Sequence, residues 1–539
     1  RGPWKSADIT AFGYMAELAR TTEGIARWFD PMLLGLRPET PALIPYWIGA
    51  WAIKFAPAWI SPDLAVRIAF ALLLAGTFAA TWYAVYYLAR TSRAQPVAFA
   101  FGGEAQPTDY ARAIADGALL ALIACLGLAQ LGHETTPALA QLFFASLLFY
   151  GVAALPYRRV GAFVVLLIGT VGMTLSGGPT VGLALGIGCG VILIEERRRG
   201  AADQPTDSEP VYTTGAIVAV FGATLLAVIL AAALGLLQWK IDLPGHRIIQ
   251  EVRDQAKLLL WFTWPAWPLA IWTLWRWRRQ LTARHVALPL WFVVVPLLAT
   301  WTTNFSERSL LLGLPAFATL AAFALPTFRR SVAALIDWFT LLFFSGSAIT
   351  IWVIWIAMQT GVPAKPAANV AKLAPGFVPQ LSVVAFIFAV TATLAWAWLV
   401  RWRTGRHRAA LWKTLVLPAG GAALCWTLVM TLWLPVLDYA RSYAPQVRAI
   451  SERVGQPYCI SELALDRPHL AALRHHGNFN VQPLLGGQVC PWLLVSPSAI
   501  ARLHEVVNLD GWRLIGTLRR PTSSADDLLL YQRIAPAGD

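Results

Sequence analysis

The sequence predicts an α-helical polytopic membrane protein with a small mixed α/β domain at its carboxy-terminal end. Three observations predict it. Of 539 residues, 57% are hydrophobic and 13% are charged, about half the ~25% of an ordinary soluble protein. Mean hydropathy is +0.56, and 26 Trp with 25 Phe add apolar surface that one water-facing core could not hide. Apolar runs recur until about residue 434, after which the composition becomes that of a globular segment. A plain cytosolic enzyme is excluded.

A bilayer core takes about 20 apolar residues per helix. Twelve runs qualify, near 64–89, 113–132, 137–155, 160–176, 179–194, 212–238, 258–275, 286–302, 309–326, 333–358, 380–400 and 410–434. Residues 1–63 form a loop before them, 64–434 the membrane domain, and 435–539 the terminal α/β domain. The stretch 41–60 holds Lys54, three Pro and interface-type Trp and Tyr, and reads as helices lying on the membrane surface.

Basic residues set the orientation, because short cytoplasmic loops collect Lys and Arg. One alternate set of loops holds eighteen: Arg90, Arg93, Arg112, Arg158, Arg159, Arg197 to Arg199, Arg276, Arg278, Arg279, Arg284, Arg329, Arg330, Arg401, Arg403, Arg406 and Arg408. The other holds seven: Lys240, Arg247, Arg253, Lys257, Arg308, Lys365 and Lys372. The first set is therefore inside, and the net charge of +14 is a topology signal with no continuous basic face for nucleic acid. Both chain ends then lie outside, the periplasm for a bacterial inner-membrane protein. An outside start without a signal segment leads us to expect one further span upstream, thirteen in all.

Cys125, Cys189 and Cys425 fall in apolar runs and read as small hydrophobes. Cys459 and Cys490 lie in the oxidising outside tail, where a disulfide is expected; a metal site with His475 and His476 is the alternative. Residues 440–454 and 467–476 look helical. PYCISEL, FNVQPLL, CPWLLVS, WRLIGTL and DLLLYQRI look like strands. The tail has no phosphate loop or nucleophile motif.

Chemistry is expected where polar residues gather outside without a topological reason. Asp8 with Lys5 precedes an amphipathic stretch, Ile9, Phe12, Met15 and Leu18, suited to the membrane surface. Asp8 is either an active carboxylate or the N-cap of a helix beginning at Ile9. His133 and Glu134 sit in the short turn GHETTP. Glu134 is either a second carboxylate, tuned by His133, or a cap for the helix near Pro137. In TTNFSER, Arg308 is either a phosphate-binding fork or a snorkelling side chain paired with Glu307.

At these residues the chain resembles the GT-C superfamily of membrane glycosyltransferases, in the branch of protein O-mannosyltransferases and of aminoarabinose transferases that modify lipid A. WKSAD at 4–8 is similar to the family's WRQAD, and LRPETPALIPYW at 36–47, with Glu39, to LRYFEKPPLLYW. RIAFALL at 67–73 resembles its Arg-led second helix, LSGGPTVGLAL at 175–185 its LTKGP phrase, and SERSLLLGLPAFATLAAF at 306–323 its SxRxxYLLPxxPxLAL phrase. The family's Lys before ProPro is Thr40 here, and its Lys in LTKGP is Gly177. Both family lysines are associated with the lipid phosphate, so the resemblance implies that other cations, such as Lys5, Lys54 or Arg308, replace them or that the donor is bound differently.

The resemblance implies transfer of a sugar from a polyprenyl-phosphate donor, such as undecaprenyl phosphate, to a lipid, glycan or protein acceptor at the periplasmic face, with inversion. Asp8 is the expected base, Glu134 with His133 the acceptor-orienting pair, and Arg308 with Lys5 the cations for the departing phosphate, with Glu307 beside them. No cofactor is implied, and a divalent cation is left open. A secondary transporter would place ionisable residues near the midplane and repeat its halves. The sequence shows no such repeat, and its spans read as nearly free of charge in their middles. A non-catalytic envelope scaffold is the other alternative.

Overall fold

A computed structural model describes residues 2–22, 24–95, 106–202, 212–237, 248–302, 307–404, 411–484, 490–520 and 522–534. Among the described residues, eight helices are long and apolar enough to cross a membrane: Pro62–Ala89, Pro137–Ala154, Pro179–Arg199, Thr214–Ala233, Arg284–Thr302, Ser331–Thr360, Val383–Arg403 and Lys413–Leu432. The chain is a multi-pass membrane protein. Two more of the expected runs form shorter apolar helices, Arg159–Leu175 and Leu314–Thr327. Lys240, Arg247, Arg406 and Arg408, counted for topology, and residues 303–306 lie outside the described residues.

The remaining two expected runs are not continuous helices. The run 113–132 stops at Cys125, whose backbone is extended, and resumes as Leu126–Leu131. The run 258–275 divides into Ile248–Phe262 and Ala266–Arg276 across Pro265, which has no N–H to continue a helix. The two breaks meet: Leu126 N donates to Trp264 O at 3.1 Å. Each interruption thereby supplies a polar partner to the other, which a segment at membrane depth requires. Two carboxylates also depart from the expected charge-free spans. Asp116 Oδ1 accepts from Trp82 Nε1 at 2.8 Å, and Asp337 Oδ2 pairs with Arg403 Nη2 at 2.7 Å.

The first helix, Ser6–Arg20, has Asp8 in its first turn and Arg20 in its last, matching the helix dipole. Its apolar face does not lie on lipid. Ile9, Phe12, Met15 and Leu18 are buried, because the helix is sandwiched between Ile44–Phe55 and Arg467–His476. Side chains of this kind contribute roughly 1.5–3 kcal/mol each when buried. Close approach requires Gly at two points. A Cβ at Gly13 would lie 2.7 Å from Ala471 Cβ, and one at Gly49 within 2.9 Å of three Met15 atoms. Only one surface-type helix, Ile44–Phe55, forms in the stretch 41–60.

In the terminal domain, strands β1 (Ile460–Leu463), β2 (Val481–Pro483), β3 (Trp492–Val495), β4 (Trp512–Arg520) and β5 (Ser523–Arg533) form a sheet of order β2-β1-β3-β5-β4. β1 is parallel to β2 and β3, while β5 is antiparallel to β3 and β4. β1, β2 and β3 lie within stretches expected to be strands, whereas β4 runs past WRLIGTL to Arg520 and β5 begins at Ser523, ahead of DLLLYQRI. Helices Ala444–Val454 and Arg467–His476 match the two expected there, and Ile500–Val506 is an addition. Cys459 and Cys490 form a disulfide. His475, the proposed metal partner, packs its ring 4.6 Å from that of Phe12. One hydrophobic core runs from the first helix through the membrane helices into this domain.

Candidate active site

The first helix begins at Ser6, ahead of Asp8, with Lys5 at its N-cap position. The cap reading of Asp8 is therefore wrong. Its carboxylate is fully buried and turns toward the membrane domain. Thr135 donates both its N–H and its hydroxyl to Asp8 Oδ1, each at 2.8 Å, and Arg67 Nη2 reaches Oδ2 at 3.1 Å. Arg67 also donates to Gly2 O at 3.0 Å and His133 O at 3.1 Å. A planar guanidinium can serve three acceptors in fixed directions, so one side chain fastens the amino-terminal segment, the first helix and the 133–135 turn together.

Glu134 is also fully buried, and it caps nothing: Thr136 holds the N-cap position of Pro137–Ala154. Lys5 Nζ lies 2.7 Å from Glu134 Oε1, a close ion pair rather than an aligned hydrogen bond. Arg308 Nη2 donates to Oε2 at 3.1 Å. A carboxylate taken out of water costs several kcal/mol unless charge meets it, and here two cations do. Arg308 turns to Glu134 instead of its neighbour Glu307, which accepts from Gln130 Nε2 at 2.9 Å. The snorkelling pair is thus replaced by a contact between distant loops.

His133 joins this cluster by its backbone. Its ring packs against Trp4 and Trp426, and Nδ1 lies 3.2 Å from Ala129 O. Glu39 and Lys54 lie elsewhere. Glu39 is exposed and pairs with Arg467 of the terminal domain at 2.9 Å, and Lys54 sits over the Trp28 ring.

Lys5, Ser6, Ala7 and Arg308 line a cavity of about 1280 Å³. Its other walls are mostly apolar, formed by Ile349, Val353, Ile354 and Met358 of a long span, the outer helix Ala364–Leu373, and Trp433, Val436 and Leu437. Asp8 follows Ala7 in the chain but does not line the cavity. Among the described residues no group of three or more His, Cys, Asp or Glu side chains is placed to hold a metal ion.

The positions of the two missing family lysines adjoin each other. Gly177 has φ +85°, and a Cβ there would lie 2.8 Å from Thr40 Cγ2 and 2.9 Å from Pro41 O. Leu43 N also donates to Leu175 O at 2.7 Å. The two loops are zipped so tightly that residue 177 has no room for a side chain.

No family model matches the chain, and no curated protein sequence matches it. Its structure is similar to that of ArnT from Cupriavidus metallidurans in the apo state, over 99% of this chain and 94% of that one, with a TM-score of 0.61 and 15% identity. Bound to undecaprenyl phosphate, the same ArnT gives a TM-score of 0.58 over 98% and 95% of the two chains, also at 15% identity. The fold is ArnT-like. The likeness of fold extends over the whole architecture, including the terminal domain. Sequence reasoning missed Arg67 and Thr135 as members of the buried cluster around Asp8. Arg67 stands where the family's Arg-led helix begins, which was the available signal; Thr135 carried none.

Proposed function

We propose that the protein is an integral membrane glycosyltransferase that moves a sugar from a polyprenyl-phosphate donor to a lipid, glycan or protein acceptor at the periplasmic face of a bacterial inner membrane. One observation carries this reading: an apolar cavity of about 1280 Å³ with Lys5 and Arg308 on its wall and a single buried carboxylate, Glu134, behind both. Two cations against one carboxylate leave one positive charge for a lipid phosphate, and the apolar walls suit its tail. The ArnT-like fold and the undecaprenyl phosphate bound by ArnT support the same class of donor.

In this reading the acceptor attacks the anomeric carbon and gives its proton to Asp8. Lys5 and Arg308 meet the charge that grows on the departing phosphate. Three donors occupy three of the roughly four acceptor positions of the Asp8 carboxylate, and the fourth receives the proton. Reaching it requires the wall segment Lys5–Ala7 to move aside as substrate enters. Glu134 is committed to two cations, which leaves no second carboxylate as nucleophile, so a single displacement inverts the anomeric centre. Glu134 thus becomes a positioning residue.

The test is Asp8→Asn in the purified full chain, assayed with a panel of undecaprenyl-phosphate sugars. Transfer is expected to fall about 100-fold or more with undecaprenyl phosphate binding retained. Unchanged transfer would remove Asp8 as the base. No transfer by the native protein with any such donor would favour the scaffold reading. Mass spectrometry of envelope lipids and glycans in cells lacking the protein identifies the product.

A further inference from the structure

We propose that Trp433 and Asn369 hold the transferred sugar, and that this sugar is a neutral pyranose without an amino group. The proposal rests on the glycosyltransferase reading and adds the class of donor sugar. The outer helix Ala364–Leu373 turns Pro366, Asn369, Val370 and Leu373 toward the cavity, with Ala374 just beyond it, at the spacing of one helical face. Asn369 is the one polar residue on that face. Its side chain is exposed, and among the described residues its amide has no hydrogen-bond partner.

Trp433 stands where the last span passes into Leu434–Arg441, on a face continued by Val436, Leu437 and Ala440. Its indole Nε1 donates to Ile351 O of the span Ser331–Thr360 at 3.1 Å. The single polar atom of the ring is thus committed to main chain, and what Trp433 offers the cavity is carbon. Thr350, beside Ile351, also lines the cavity, but its hydroxyl is donated to Gly346 O at 2.9 Å. The wall that carries Lys5 is fixed as well: Ser6 Oγ shares a hydrogen bond of 2.9 Å with the Tyr443 hydroxyl, a latch between the Lys5–Ala7 segment and the terminal domain.

A plainer reading makes these faces a bed for the lipid tail and Trp433 an interface anchor. A tail needs no amide, so Asn369 stays unexplained, and the Trp433 N–H is spent on a neighbouring span instead of on headgroups or water. An aromatic carbon surface with a free amide in the same cavity is chemistry that meets a sugar. The ring's C–H groups lie on the indole, and its hydroxyls exchange hydrogen bonds with an amide that both donates and accepts.

Charge selects the kind of sugar. Among the described residues, the lining carries Lys5, Arg308, Arg441 and Arg520 and no Asp or Glu. The two buried carboxylates of the site are already matched, Asp8 by Arg67 and Glu134 by Lys5 and Arg308. A protonated amine on the sugar would find cations on the wall and no carboxylate to meet it. A hydroxyl in its place meets no such penalty.

The full chain in phosphatidylcholine nanodiscs tests this by native mass spectrometry near neutral pH. The probes are undecaprenyl phosphate, undecaprenyl-phosphate arabinose and undecaprenyl-phosphate aminoarabinose, the last two differing only in hydroxyl against amine. The arabinose lipid is expected to bind at least about tenfold tighter than either of the others. Asn369→Ala, a change at an exposed side chain, and Trp433→Ala should each remove about three- to tenfold of that advantage while undecaprenyl phosphate binding stays unchanged; Trp433→Phe should keep most of it. Equal binding of the arabinose and bare lipids, an advantage that survives both alanine variants, or a loss in Trp433→Ala that falls equally on the bare lipid overturns the platform. Aminoarabinose lipid bound as tightly as the arabinose lipid overturns the choice of sugar. Absence of undecaprenyl phosphate binding by the native chain instead sinks the donor reading, and decyl glucoside against decanol, with the same Trp433 and Asn369 dependence, then decides the platform.

Discussion

Arg308 meets Glu134 at 3.1 Å although 174 positions separate them in sequence. With Lys5 on the other oxygen, the carboxylate joins three segments that lie far apart in the sequence. Replacing it separates charge from scaffolding. Glu134→Gln keeps the shape and leaves both cations uncompensated, so undecaprenyl phosphate should bind roughly 3- to 10-fold tighter, about 1 kcal/mol. Glu134→Ala lets the cations drift apart and should weaken binding. Because Lys5 and Arg308 are 27% and 34% exposed, the stability lost in either variant should be about 1–3 kcal/mol, below that of a fully buried pair. Equilibrium binding in nanodiscs and thermal unfolding check both.

Arg67 serves Asp8, Gly2 O and His133 O at once. Arg67→Ala strips the charge partner from a fully buried carboxylate and is expected to cost about 3 kcal/mol and to abolish transfer. Arg67→Lys should not restore transfer, because an ammonium cannot span three acceptors fixed by a planar fork. Recovery of full activity by the Lys variant would show that charge alone suffices.

Gly177→Ala tests the closed loop pair. Its left-handed backbone costs a side chain about 1–2 kcal/mol, and contact with the Pro41 carbonyl adds to that. A fall of 2 kcal/mol or more, read from the denaturation midpoint, is expected on this basis. Gly177→Lys should destabilise at least as much, since its Cβ meets the same Thr40 and Pro41 atoms.

Burial pushes His476 down to about 4, assisted by His475 and Arg448 and opposed by Asp63. The unfolded chain takes up this proton near pH 6.5, the folded one only near 4. Stability from this group is therefore complete above about pH 6.5 and is lost as pH falls toward 4. Hydrogen-exchange protection factors of Arg467–His476, corrected for the intrinsic rate at each pH, should fall across that interval, and His476→Gln should flatten the response. A flat native profile would refute it.

Much of this was legible in the sequence, for identifiable reasons. Lys5, Asp8, Glu134 and Arg308 stood out because outside loops seldom need such charges, and the structure brings these four together. Their partners were hidden, since Arg67 and Thr135 look like ordinary residues of a span start and a turn. Hydropathy also cannot see a backbone break: Cys125 is apolar, and its interruption depends on Trp264, far along the chain. Asp116 and Asp337 were masked by the apolar average around them and are matched by Trp82 and Arg403 on other helices. The apolar stripe of the first helix was read correctly as apolar, but a stripe does not state whether lipid or protein covers it.

The latch between Tyr443 and Ser6 has a consequence for biosynthesis. The first helix leaves the ribosome long before Arg474 exists to meet Glu17, or Tyr443 to meet Ser6. Until the terminal domain has been made, the face carrying Ile9, Phe12 and Met15 has no cover from that domain and the cavity lacks a wall. A nascent chain therefore carries an unfinished cavity, and its last wall arrives only with roughly the final hundred residues.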